Sequence, residues 1–159
     1  MARIHWWWAG IVGILISAGG LAGCSGGDGD HGHHGSGVCL LVSEVEPNAT
    51  ELTAQFLGNM FVDDCVSVAG SIFDVTDVDS YRVVVQEPLT LFVTIDHSPL
   101  VAFDVQLFDV GTGQLIRDCG DAVVPGACAV SFVVRGIAVD VVVSSVVGAG
   151  TYTLTLDAR

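Results

Sequence analysis

Leu89, Leu91, Val93 and Ile95 alternate with Thr90, Phe92, Thr94 and Asp96. Successive side chains of an extended chain point to opposite faces, so this run gives one strand an apolar face and a mixed one. Val101, Phe103, Val105 and Leu107 repeat the pattern, and so do Tyr152, Leu154 and Leu156. Further strands are expected at 66–73, 81–86, 115–119, 128–135 and 137–145, with Gly111-Thr112-Gly113 and Gly148-Ala149-Gly150 as turns. No stretch sustains a 3.6-residue period, and only 49–57 suggests a short helix. Seven or eight short strands over about 120 residues predict one all-β domain, an antiparallel β-sandwich. The apolar run 137–147 reads as a strand buried on both faces or as an edge prone to aggregation.

The chain before residue 38 has a different character. Arg3 and His5 precede an apolar run from Trp6 to Ile16 and the small residues Ser17 to Gly20. A basic head, a short apolar core and a small-residue exit mark residues 1–23 as a secretory signal. The run is shorter than the roughly 20 apolar residues of a comfortable membrane span. It closes on Leu21-Ala22-Gly23-Cys24, which resembles the lipobox of bacterial lipoproteins. That resemblance implies cleavage before Cys24, acylation of its thiol and amine, and a membrane partner through the N-terminal lipid. An ordinary cleaved signal with a chance cysteine is the plainer alternative.

Five cysteines leave one without a partner in an exported chain. Lipidation of Cys24 accounts for it and leaves Cys39, Cys65, Cys119 and Cys128. Four cysteines allow three pairings, and disulfides persist outside the cytoplasm. Residues 120–127 form a short loop with two glycines and a proline, so closure of Cys119 with Cys128 is expected, leaving Cys39 with Cys65. A zinc site built from the four lacks paired C-x-x-C spacing.

Residues 25–37 contain no large apolar side chain, so burial cannot offset the entropy of ordering them. With the lipidated cysteine they read as a flexible tether, 24–37, carrying a β-domain at 38–159. His31, His33 and His34 beside Asp28 and Asp30 are a weak chelating set for zinc, copper or nickel, or simply a polar spacer.

Two acidic stretches stand out in the domain. In Glu44-Val45-Glu46-Pro47-Asn48 an extended path places Glu44, Glu46 and Asn48 on one side, and Asp77 and Asp79 repeat the alternation. Calcium gathers six to eight oxygen ligands, so the two stretches brought together would make a site.

These same residues carry a family resemblance. Glu44 to Asn48 with Thr50 and Ala54, Val68-Ala69-Gly70-Ser71-Ile72, and Asp77 to Tyr81 resemble the bacterial pre-peptidase C-terminal domain. Phe103 to Asp109 with Gly113, and Gly150 to Leu154, fit it too. The resemblance spans about residues 43–157 and implies a jelly-roll-like β-sandwich that is not catalytic. From calcium- and collagen-binding relatives it implies Glu44, Glu46, Asn48, Asp77 and Asp79 as calcium ligands. Ala49, often polar in the family, and the paired cysteines depart from its pattern.

Eighteen acidic residues against five basic ones, with no lysine, give a formal charge of −13. Such a surface repels nucleic acid and anionic lipid head groups, so no nucleic-acid partner is expected. Asp96-His97-Ser98 holds the residue types of a hydrolase triad, but neighbouring side chains diverge and cannot chain their hydrogen bonds. No G-x-S-x-G or metal-protease motif occurs, so no enzyme is expected. The chain therefore reads as a lipid-anchored protein of the bacterial cell envelope, at the outer membrane or cell surface, with calcium as its cofactor. It would act as a binding or presentation module for a protein or polysaccharide ligand. The alternative is a lipoprotein that captures metal through its His-rich tether.

Overall fold

The computed structural model describes residues 38–121 and 128–159. The leader 1–23, lipidation at Cys24 and the His31, His33 and His34 tether lie outside the described residues. The strands are β1 (Leu40–Ser43), β2 (Gln55–Met60), β3 (Cys65–Ile72), β4 (Val78–Val85) and β5 (Leu89–His97). They continue with β6 (Ala102–Asp109), β7 (Gln114–Gly120), β8 (Cys128–Phe132), β9 (Ile137–Val147) and β10 (Gly150–Ala158). One sheet runs β1-β3-β10-β5-β8 and the other β2-β4-β9-β6-β7.

The alternating runs do what their period demands. Leu89, Leu91, Val93 and Ile95 of β5 face inward, against Phe103, Val105 and Leu107 of β6 and Leu154 and Leu156 of β10. Each fully buried side chain of this size contributes about 1.5–3 kcal/mol. The β-sandwich is as expected, but it has ten strands. The two extra ones, β1 and β2, are short edge strands without clean alternation, and Gly58 bulges β2.

The sheets are mixed, which corrects the purely antiparallel expectation. β1 pairs with β3, and β2 with β4, in parallel. From β1 to β4 the chain reverses direction at every loop and also changes sheet at every loop. The next strand in the same sheet therefore runs the same way. Nor is there a helix at 49–57, where a turn at 51–53 leads straight into β2.

Strand β9 lies centrally, between β4 and β6, not at an edge. Val139, Val141 and Val143 enter the core. On the other face Ala138, Val142 and Ser144 are half-buried, and only Asp140 is covered, by Arg82. The expected strand 128–135 stops at Phe132, because Val133 and Val134 turn outward before Gly136, whose φ is 78°. Cys39 is joined to Cys65 and Cys119 to Cys128, the expected pairing.

The register sets the two ends of the sandwich. Ile72 pairs with Gly150, Val78 with Ser144, and Ala102 with Val147, so loops 73–77, 98–101 and 148–149 share one end. The 44–54 connection crosses the same end, since Ser43 pairs with Ala69 and Gln55 with Tyr81.

Candidate metal centre

Residues 44–48 follow β1 as a loop, with the Glu46–Pro47 peptide cis. Two backbone bonds tie this loop down: Glu44 N–H to the Ala69 carbonyl and Ser80 N–H to the Asn48 carbonyl, both 3.0 Å. The loop thus lies against the start of β4, where Asp79 points inward and is fully buried. Carboxylate oxygens of Glu44, Glu46 and Asp79 come within 4.8 Å of one another.

Asn48 completes the set. It is fully buried, its Nδ2 donates to Glu44 Oε1 at 3.1 Å and its backbone N–H to Glu46 Oε2 at 2.9 Å. Among the described residues its Oδ1 has no partner, and neither does Oδ1 of Asp79. A buried oxygen without a donor costs about 1–3 kcal/mol, more when charged. Two of them beside two further carboxylates form an electron-rich, oxygen-only pocket that suits a hard divalent cation.

Four of the five residues singled out from sequence converge here. Asp77 does not join them. It lies before β4 begins, and its Oδ2 accepts the Phe73 N–H at 2.7 Å, closing the 73–77 turn.

Sequence reasoning missed what lies beneath the cluster. Asp79 Oδ2 lies 2.5 Å from the Tyr152 hydroxyl, the Tyr152 and Tyr81 hydroxyls are 2.6 Å apart, and Tyr81 donates to Glu44 Oε1 at 3.0 Å. Three contacts need three hydrogens, and two phenols bring two. With Asp79 ionised the set is one hydrogen short; protonated, Asp79 donates to Tyr152, Tyr152 to Tyr81 and Tyr81 to Glu44, and all three contacts are made. Burial is the main cause that pushes the Asp79 carboxyl up to about 8, and Glu44 adds to it while the Tyr152 hydroxyl opposes it. Burial also raises both phenols above their ordinary range, so they stay protonated. The visible signal was the tyrosine in Asp77-Val78-Asp79-Ser80-Tyr81; nothing local pointed to Tyr152.

Both ring nitrogens of His97 are engaged. Its Nδ1 meets the Ser98 carbonyl and its Nε2 meets Asp121 Oδ1, both at 2.8 Å, leaving neither nitrogen for a serine hydroxyl. Burial opposes its protonation, but the Ser98 carbonyl and the Asp121 carboxylate prevail and raise its pKa.

Fold and site together define a two-sheet β-sandwich module with an acidic, oxygen-lined pocket at one end. No protein-family model matches the chain, and no curated protein does. Among solved structures it is similar to the pre-peptidase C-terminal domain of a collagenase from Bacillus anthracis. The identity is 14% and the TM-score 0.48, over 73% of this chain and 100% of that one. It is also similar to PliG, a periplasmic inhibitor of g-type lysozyme, from Aeromonas hydrophila, at 15% identity and TM-score 0.48, over 67% of this chain and 97% of that one. PliG of Salmonella Typhimurium stands at 16% and 0.47, over 67% and 100%. The first of these is of the kind whose motifs the sequence resembles.

Proposed function

We propose that this protein is a lipid-anchored, non-catalytic module of the bacterial cell envelope that holds a structural calcium ion and binds or presents a ligand. The observation that supports calcium is the pair of orphaned buried oxygens, Asn48 Oδ1 and Asp79 Oδ1, beside the carboxylates of Glu44 and Glu46. These four side chains would hold the ion, which would tie the 44–48 loop to β4. Oxygen donors alone favour calcium or magnesium over zinc or copper, and calcium tolerates an irregular cage better. The engagement of both His97 nitrogens supports a non-catalytic role.

Melting curves in millimolar calcium and in chelator test the site. Calcium is expected to raise the melting temperature, and replacing Glu46 and Asp79 together with Ala is expected to abolish the difference. Identical wild-type curves at low ionic strength would overturn the calcium reading. Anchoring rests on the Leu21-Ala22-Gly23-Cys24 motif, and Cys24→Ala should release the protein from membranes or leave the precursor uncut. A Cys24→Ala form that is cleaved normally and stays in membranes would defeat it. Three of the five histidines sit in the tether, which favours metal capture there as the second reading. Tight zinc binding lost on deleting 25–37 would support it.

A further inference from the structure

We propose that the loop end of the sandwich docks a cationic, apolar segment of another protein. Phe73 and Leu100 crown this end, 74% and 86% exposed, with Val75, Val146 and Val147 also exposed around them. Large apolar side chains gathered at one end, on the 73–77 and 98–101 turns and the last residues of β9, mark a contact surface more than chance exposure does.

The turns are held, not loose. Asp74 accepts the Thr76 N–H at 2.8 Å and Asp77 accepts the Phe73 N–H at 2.7 Å, which fixes the turn that raises Phe73 and Val75. A Cβ added to Gly148 would lie 3.2 Å from Val101, so the 98–101 and 148–149 turns are packed together. A surface already fixed loses little entropy when a partner lands on it.

Charge decides the partner. Glu44, Glu46, Asp74, Asp77, Asp96 and Asp121 all lie toward this end. Among the described residues the only arginine near it is Arg82, which Asp140 occupies at 2.7 Å. Arg117 sits partway along β7, and Arg135 and Arg159 lie at the opposite end. Beside the crown an open groove of about 690 Å³ is lined by Glu44, Ser71, Asp96, His97, Thr151 and Tyr152. Asp96 is exposed there. A segment that alternates arginine or lysine with large apolar residues would seat its side chains on the crown and its cations in the groove. Anionic bilayers and a second copy of this chain both meet like charge at this end.

The test is fluorescence anisotropy of a labelled peptide alternating arginine with leucine, titrated with the full chain. Saturable binding is expected. It should weaken by about tenfold or more in Phe73→Ser, in Leu100→Ser, in Asp96→Asn, and with a peptide carrying serine for leucine. These side chains are exposed, so unchanged melting temperatures establish that the variants fold. Equal binding of the serine peptide, or binding that survives Phe73→Ser and Leu100→Ser, would reduce the effect to bulk charge and overturn the proposal. So would Phe73-dependent sedimentation with phosphatidylserine vesicles, or a dimer in sedimentation equilibrium that Phe73→Ser dissolves, without binding of the leucine peptide.

Discussion

The hydroxyls of Tyr81 and Tyr152 meet 2.6 Å apart in the core, from strands in opposite sheets. Each phenol also reaches a carboxylate of the candidate metal centre, Tyr81 to Glu44 and Tyr152 to Asp79. The pair thus couples the floor of the pocket to the packing between the sheets, and to the proton on Asp79.

That coupling sets the pH response. An acid whose folded pKa is raised binds its proton more tightly when folded, so its stability contribution is full below the unfolded value. It is lost as pH rises through the folded one. For Asp79 the window runs from 3.8 to about 8. In chelator the domain should lose up to about 1.4 kcal/mol of stability per pH unit across that window from this group. Calcium requires the ionised carboxylate, so binding at pH 6 should release close to one proton. Titration calorimetry in buffers of different ionisation enthalpy measures it, and zero release would place Asp79 outside the site.

Asp79→Asn separates the charge from the shape. The amide keeps an oxygen for the pocket and needs no proton, so at pH 8 in chelator the variant should melt higher than the wild type. In calcium the order should reverse. A variant less stable under both conditions would mean that the carboxylate serves packing alone.

Gly70 makes room for the tyrosine pair. A Cβ there would sit 2.5 Å from Tyr152 Cζ and 2.8 Å from the Tyr81 hydroxyl. Gly70→Ala should therefore cost about 1–3 kcal/mol by overpacking, and calcium affinity should fall with it. Urea denaturation and a calcium titration read the two effects. Wild-type affinity in this variant would uncouple the phenols from the pocket.

On the outer face of the second sheet, Arg82 grips the buried Asp140 through Nε and Nη2, both at 2.7 Å. Arg82→Met should cost about 1–3 kcal/mol, because it leaves a covered carboxylate unpaired. Adding Asp140→Leu should recover most of that loss, since an apolar pair of similar size is often neutral. A double mutant no more stable than the single would show that the ion pair itself matters.

The disulfides differ in the loops they close. Cys119–Cys128 spans 9 residues and Cys39–Cys65 spans 26. By chain entropy their removal should cost about 2.5–3 and about 3.5 kcal/mol respectively. Paired Cys→Ser variants compared by chemical denaturation test the order.

The inward faces of β5, β6 and β10 could be read directly, because alternation is a local property and one apolar face must be buried. Loop chemistry likewise indicated Cys119 with Cys128. Residue type marked Glu44, Glu46, Asn48 and Asp79, but strand alternation gave no ground for parting Asp77 from Asp79. Tertiary structure separated them: β4 starts at Val78, so one carboxylate closes a turn while the other is buried against Tyr152, 73 positions away in the chain. The parallel edge strands β1 and β2 were hidden for the same reason. Their place comes from pairing with β3 and β4, and neither Leu40–Ser43 nor Gln55–Met60 alternates strongly enough to declare it. Local pattern determined which residues turn inward. Contacts between distant segments decided which of them meet, because the order in which strands pair is set by how the two sheets bury one another.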